Sequence, residues 1–359
     1  MQSLPENLHA RCFPYRLDFK SPAGTSRGVM TQKISWMVIL SDENGQQGLG
    51  ECGPLPGLSF DDRPDFGTRL WRLCEQFNQQ EWATFEESLL FYPSMRFGFE
   101  MALRDYVQGG KQLLFDSDFT LKGTPQAING LIWMGSETFM QQQIADKLEQ
   151  GFTCLKMKVG ALDFETELGL LQALRKQFPV DVLELRVDAN GAFSPAQAPE
   201  KLKRLAELGL HSIEQPIKAG QPDAMAALCA QKILPIALDE ELIGVIDADQ
   251  MTDLLDQIKA PYIILKPTLL GGFEACEQWI EAAESRNIGW WVTSALESNI
   301  GLNAIAQWTA TLNNPLPQGL GTGQLYTNNF DSPLLVEQGK LWFLPERSPW
   351  DLSAFKDNL

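Results

Sequence analysis

From about residue 124 onward, short apolar runs rich in β-branched residues alternate with longer segments whose apolar positions recur at helical spacing. The runs fall at 127–133, 154–159, 183–188, 212–216, 235–239, 262–266, 289–294 and, more weakly, 318–321. Between them lie amphipathic stretches such as 137–150, 164–178, 195–208, 249–258, 273–286 and 302–312. Ser136 ahead of Glu137 reads as an N-cap, and so does Ser194, which has Pro195 at the first helical position. Strands that alternate with helices predict parallel pairing through crossover helices. The strand ends Lys158, Asp188, Glu214, Asp239, Lys266 and Ser294, followed by Gly321, recur roughly every 25 to 30 residues, an interval that one strand, one helix and two short loops fill. So even a period favours a closed (β/α)8 barrel over an open doubly wound sheet.

Residues 1–123 do not share the period. A strand at 35–40, a turn-rich DENGQQ at 42–47 and extended chain at 48–52 predict a hairpin. A Gly- and Pro-rich stretch at 53–64 and helical segments near 66–77 and 96–109 follow. The expected class is therefore α/β, a (β/α)8-type barrel with an N-terminal α+β capping domain. The expected division is a cap at 1–123, a catalytic barrel at 124–329, and a C-terminal segment at 330–359 that packs back on the cap.

Composition narrows the chemistry. A chain of 359 residues is long enough to bury a large core without disulfide or metal staples, and 44% hydrophobic with 21% charged residues excludes a disordered chain. The 29 basic and 46 acidic residues leave a formal net charge of −17, which argues against nucleic acid and anionic membranes as partners. No apolar run approaches the roughly 20 residues that span a bilayer. The N-terminus lacks a basic start followed by an apolar stretch, so a cytoplasmic address is expected. Six cysteines without a CxxC pair fit reduced thiols. With only His9 and His211 present, acid–base work must fall to Lys, Asp, Glu or Tyr. The sequence leaves a homo-oligomer open.

In Leu155-Lys156-Met157-Lys158-Val159 the apolar residues take one face of the strand and both lysines the other. The outer face of a barrel packs on helices, so the lysines must point inward, near the C-terminal mouth. The next three strands end in Asp188, Glu214 and Asp239. Three carboxylates converging there repel one another unless a cation sits between them. A donor set of oxygens alone selects a hard ion, Mg2+ first, with Mn2+ as the alternative. Lys266 on the sixth strand then faces Lys158 across the mouth. Such a site can remove a proton α to a carboxylate, with the metal and ammonium groups holding the charge that develops. As a base near pH 7, Lys158 needs its pKa lowered from about 10.4 to roughly 7 to 8, a demand of some 3 to 5 kcal/mol.

These residues resemble the enolase superfamily, muconate-lactonizing subgroup: a Lys-x-Lys on the second strand, Asp, Glu and Asp on the third to fifth, and Lys on the sixth, after an α+β cap. Further motifs, Gly48-Leu49-Gly50-Glu51-Cys52-Gly53-Pro54, Thr293-Ser294-Ala295-Leu296-Glu297-Ser298-Asn299 and Gly319-Leu320-Gly321-Thr322-Gly323, are similar to one branch of that subgroup. The resemblance implies syn-dehydration of 2-succinyl-6-hydroxy-2,4-cyclohexadiene-1-carboxylate to its aromatic dicarboxylate, in menaquinone or phylloquinone biosynthesis. It implies Lys158 as the base and then the acid for the departing hydroxyl. Lys156 would stabilise the carboxylate and tune Lys158, and Lys266 would hold the negative charge that develops. Asp188, Glu214 and Asp239 would be the metal ligands. Ser294 and the backbone near Gly321 would contact the succinyl end, with Arg27 a further candidate. Cap loops at 26–28 and 54–59 would close the mouth. N-acylamino acid racemisation and dipeptide epimerisation need the same metal and opposed lysines. The epimerase reading is disfavoured because the eighth strand lacks the Asp-x-Asp those enzymes usually present. A non-catalytic binding barrel is the rival from another class, and six ionisable residues in place argue against it. His211, ahead of the fourth strand, is expected to be structural, and Trp290 and Trp291 to pack the barrel on its helices.

Overall fold

The cap is built on a hairpin with one long strand added. In the computed structural model, which describes residues 7–25 and 28–355, β1 (His9–Thr25) and β2 (Gly28–Ser41) pair antiparallel, with a register shift between Asp18 and Ala23. β3 (Gln47–Cys52) returns along β2 from Ser41↔Gln47 to Trp36↔Cys52. The hairpin turn is set by Asp42, whose Oδ1 accepts the Asn44 and Gln46 N–H groups. β1 escapes the sequence reading because Pro14 and Pro22 argue against a strand. Both are tolerated here because β1 is the edge of its sheet.

Helices α1 (Phe66–Asn78), α2 (Trp82–Leu89) and α3 (Pro93–Val107) cover the sheet. On one face Val38 and Leu40 join Leu70, Leu73, Phe77, Phe85 and Phe99 in a core of the cap's own. On the other, Met37, Ile39 and Leu49 merge with Phe97 and Met101 into the main core. Gly48 and Gly50 let α3 lie backbone to backbone on β3: a Cβ at Gly50 would stand 2.0 Å from the Gly98 carbonyl, and one at Gly48 2.1 Å from that of Ala102.

The linker carries α4 (Asp118–Lys122) and β4 (Gln126–Ala127). Seven parallel strands follow in sequence order: β5 (Gly130–Ile132), β6 (Cys154–Lys158), β7 (Glu184–Asp188), β8 (Ser212–Glu214), β9 (Ile236–Leu238), β10 (Tyr262–Leu265) and β11 (Gly289–Val292). The eighth run makes no strand of its own. It bridges both edges instead, Gln318 to Ile128 and Gly319 to Thr293, both parallel. Helices α5 (Glu137–Glu149), α6 (Phe164–Gln177), α7 (Ala198–Ala206), α8 (Pro222–Ala230), α9 (Ala248–Ile258), α10 (Pro267–Leu270), α11 (Gly272–Glu284) and α12 (Asn299–Thr311) lie between strands. The curled parallel sheet under an antiparallel cap is the expected class of fold.

Ser136 caps α5 as expected, accepting from the Phe139 N–H. Ser194 does not cap α7. Its Oγ accepts the Gln197 N–H at 3.3 Å within a preceding turn, and the helix starts at Ala198. Trp290 packs outward, with Nε1 donating to Glu284 of α11, but Trp291 points into the barrel. There it lies under the Arg186 guanidinium at 4.4 Å and beside Tyr262 and His211. Strand alternation accounts for both tryptophans, since consecutive residues take opposite faces. After the barrel, β12 (Leu334–Glu337) and β13 (Lys340–Phe343) form a hairpin that pairs with β4. Phe355 then packs on Phe13 and Tyr15 of β1 and on Phe330. Among the described residues no helix is long and apolar enough to cross a membrane, and no cysteine is in a disulfide.

Candidate active site

Register builds the site. Lys158, Asp188 and Glu214 stand level on β6, β7 and β8, with Lys156, Arg186 and Ser212 one inward layer below. Asp239 and Lys266 end β9 and β10. Because these side chains alternate with Leu155, Met157, Val187, Ile213 and Leu238, which are buried in the core outside the strands, each charge points inward. Lys156 is 4% exposed and donates to Glu214 Oε2 at 2.7 Å, with Asp188 Oδ2 at 3.6 Å. Lys158 reaches Asp188 Oδ2 at 3.0 Å and Asn190 Oδ1 at 2.7 Å. Lys266 donates to Asp239 Oδ2 at 2.5 Å. β6 and β10 are the second and sixth positions of the ring, so Lys158 and Lys266 enter one cleft from opposite walls.

The charges set one another. Burial disfavours the ionised form of Asp188, but the ammonium groups of Lys158, Lys156 and Lys266 outweigh it and hold the carboxyl well below its usual range. Burial pushes Glu214 up to about 7; Lys156 relieves part of this, and the charges of Asp188 and Asp239 reinforce it. For Lys266, burial opposes the charge, yet Asp239, Glu240 and Asp188 raise its pKa above the ordinary value. Lys156 is likewise raised by Glu214 and Asp188 against its own desolvation.

Among the described residues no three carboxylate, imidazole or thiol groups are gathered as a ready-made metal shell. The three strand-end carboxylates turn to lysines instead. Their chemistry still fits a hard divalent ion. They are oxygen donors on three consecutive strands, Glu214 Oε1 is buried without a hydrogen-bond partner, and Glu214 is raised in part by the other two charges. An ion among them would relieve that repulsion and occupy the orphaned oxygen.

Other residues complete the cleft. Ser294 and Gly321 line it on the far side from the carboxylates, and the Ser294 and Thr322 hydroxyls lie 2.6 Å apart. Leu55 and Leu58 descend from the cap loop. Arg27 lies outside the described residues, as does part of the 26–28 loop. His211 is on the opposite face of the barrel, bonded to Ser212 Oγ, where burial and then Arg186 lower its pKa. Two further residues support the site. Asn190, two residues beyond Asp188, both accepts from Lys158 and donates to Glu240 Oε1 at 2.9 Å. Gln215, fully buried at φ 37, accepts the Asp239 and Glu241 N–H groups and donates to Glu241 Oε2. Its position directly after Glu214 was the available signal.

A capped parallel barrel with lysines and carboxylates converging at its C-terminal mouth is an enzyme architecture of the enolase type. Residues 140–347 match the family model described as enolase C-terminal domain-like, and residues 8–106 match that of the MenC N-terminal domain. The o-succinylbenzoate synthase of Desulfotalea psychrophila is 51% identical over 355 residues, covering 90% of this chain and 96% of that one. That of Vibrio cholerae serotype O1 is 29% identical, covering 93% and 98%. The chain belongs to the o-succinylbenzoate synthase family of the enolase superfamily. The crystal structure of MenC from Desulfotalea psychrophila LSv54 superposes with TM-score 0.80 at 46% identity, covering 94% of this chain and all of that one. A dipeptide epimerase from Enterococcus faecalis V583, solved with Mg and L-Leu-L-Tyr, shares the fold at TM-score 0.79 and 21% identity, covering 94% and 96%.

Proposed function

We propose that this enzyme dehydrates 2-succinyl-6-hydroxy-2,4-cyclohexadiene-1-carboxylate to o-succinylbenzoate, a step of menaquinone or phylloquinone biosynthesis. The observation that carries the reading is the pair of lysines, Lys158 and Lys266, entering one cleft from opposite walls, each paired with a strand-end carboxylate. Lys158 takes the ring proton α to the carboxylate. The C–O bond then breaks on the same face, and Lys158 returns that proton to the departing hydroxyl, so that water leaves and the ring becomes aromatic. Lys266 stays an ammonium throughout, which its three carboxylate neighbours favour, and holds the negative charge on the opposite face. Lys156, also kept charged, anchors Glu214 and Asp188. Asn190 directs the Lys158 amine toward the substrate. Asp188, Glu214 and Asp239 would hold Mg2+, which when bound would supply positive charge for the substrate carboxylate. The cap loop carrying Leu55 and Leu58 excludes water from the ring.

The test is direct. Purified enzyme with Mg2+ and the cyclohexadiene substrate should give the ultraviolet change of the aromatic product; turnover no faster than the uncatalysed reaction would sink the assignment. Chelation should abolish activity and added Mg2+ restore it. Lys158→Ala should lower kcat by at least about 10³-fold, the range expected for loss of a general base; a normal rate would remove Lys158 from its role. N-succinylamino acids run alongside test the racemase alternative.

A further inference from the structure

The cleft wall formed by residues 294–296, with the 297–298 backbone that follows it, is held in place by the cap. Glu51, on β3, is fully buried. Its Oε1 accepts from Ser35 Oγ at 2.6 Å and the Ser298 N–H at 3.0 Å; its Oε2 accepts from Ser298 Oγ at 2.6 Å and the Gly301 N–H at 3.0 Å. A carboxylate of the cap thus closes the N-terminus of α12, a helix of the barrel. Lys33, on β2 and 1% exposed, donates to the Leu296 carbonyl at 2.9 Å, and Tyr326 Oη donates to the same carbonyl at 2.7 Å. Leu296 sits at φ 64, a left-handed conformation rare for a branched side chain. Such backbone persists only where its surroundings impose it, and here Lys33 and Tyr326 hold its carbonyl. Glu297 turns away from the cleft to accept the Ala295 N–H and the Thr268 hydroxyl. Ser294, Ala295 and Leu296 are left facing the cleft, with Thr322 beside them.

We propose that Glu51 and Lys33 are positioning residues for the end of the substrate remote from the reacting carbon. They fix the 294–298 backbone so that Ser294 and its neighbours receive the second, succinyl carboxylate. Neither residue touches the reacting atoms, and the cap thereby sets specificity through the barrel's own loop. This inference rests on the dehydratase reading above. Glu51→Gln tests it, because the isosteric amide sets an N–H donor against donors that now meet only oxygen.

Calorimetric binding to the Mg2+-loaded enzyme would compare o-succinylbenzoate with 2-butyrylbenzoate, in which a methyl replaces the distal carboxyl. Glu51→Gln should weaken o-succinylbenzoate by about 10-fold or more and leave 2-butyrylbenzoate within about twofold, since only the diacid uses the displaced donors. Turnover should show KM rising more than kcat falls. Ser298→Ala, which deletes one hydroxyl contact to Glu51 and leaves its N–H contact, should give the same pattern at smaller size, and it carries the test if Glu51→Gln does not fold. Equal losses for both ligands, or none, overturn the proposal. A wild-type enzyme that neither turns over the substrate nor binds o-succinylbenzoate overturns the dehydratase reading and this inference with it. An active wild type with unselective variants overturns this inference alone.

Discussion

Single side chains in this protein gain their properties from what is packed around them. Asp61 is an example outside the cleft. It lies against the start of α3, where Oδ2 accepts both the N–H and the hydroxyl of Ser94 at 2.9 and 2.6 Å, while Oδ1 is buried without a partner. Burial outweighs those bonds and pushes the carboxyl up to about 6. The folded state therefore keeps a proton that the unfolded chain has already lost above about pH 4. Stability from this group is present at low pH and is lost as pH rises through about 6. Urea unfolding of wild type and Asp61→Asn at pH 5 and pH 8 should show the wild type losing about 1 kcal/mol more than the variant over that interval; parallel losses would mean Asp61 is not the group. At this scale the lysines and strand-end acids were legible, because an alternating strand with charges on one face leaves them no direction but inward. Glu51, Lys33 and Gln215 were not legible. Each is a polar residue whose role depends on a partner from a distant part of the chain or on a backbone angle, and local pattern carries neither.

Among the elements, periodicity revealed the barrel strands because they are short and apolar and recur evenly, while the longer, proline-bearing β1 stayed hidden. The eighth run was read as weak, and the structure gives the reason: residues 318–319 contribute isolated bridges at a seam instead of a ladder. The glycines of β3 show how little room separates two elements. Gly50→Ala would drive a methyl to 2.0 Å from the Gly98 carbonyl, a backbone clash that should cost at least about 3 kcal/mol in urea unfolding. Gly169, exposed in α6, has nothing within 4 Å of an added Cβ. The same change there should stabilise by about 0.5 to 1 kcal/mol. If both substitutions proved neutral, the close contact between β3 and α3 would be disproved.

Across the whole molecule, cap, barrel and C-terminal segment share aromatic and ionic contacts. Phe355 is fully buried with ring centroids at 5.3 Å from Phe13, 5.5 Å from Tyr15 and 4.5 Å from Phe330. Phe355→Ala should cost about 3 to 5 kcal/mol of stability, read as a lowered urea midpoint, and a shift under about 1 kcal/mol would show that the segment adds little. The net charge of −17 does not govern the site, where three lysines face the cleft and set the local field. The Glu51 to Ser298 contact closes a span of 247 residues. During synthesis the cap strands emerge long before α12 exists, so Glu51 must wait, buried or solvated, for a helix end that has yet to leave the ribosome. Closing so long a span comes late in folding, after the local hairpin and βα units have formed. The cleft wall at residues 294–296 is then among the last parts of this enzyme to come into being.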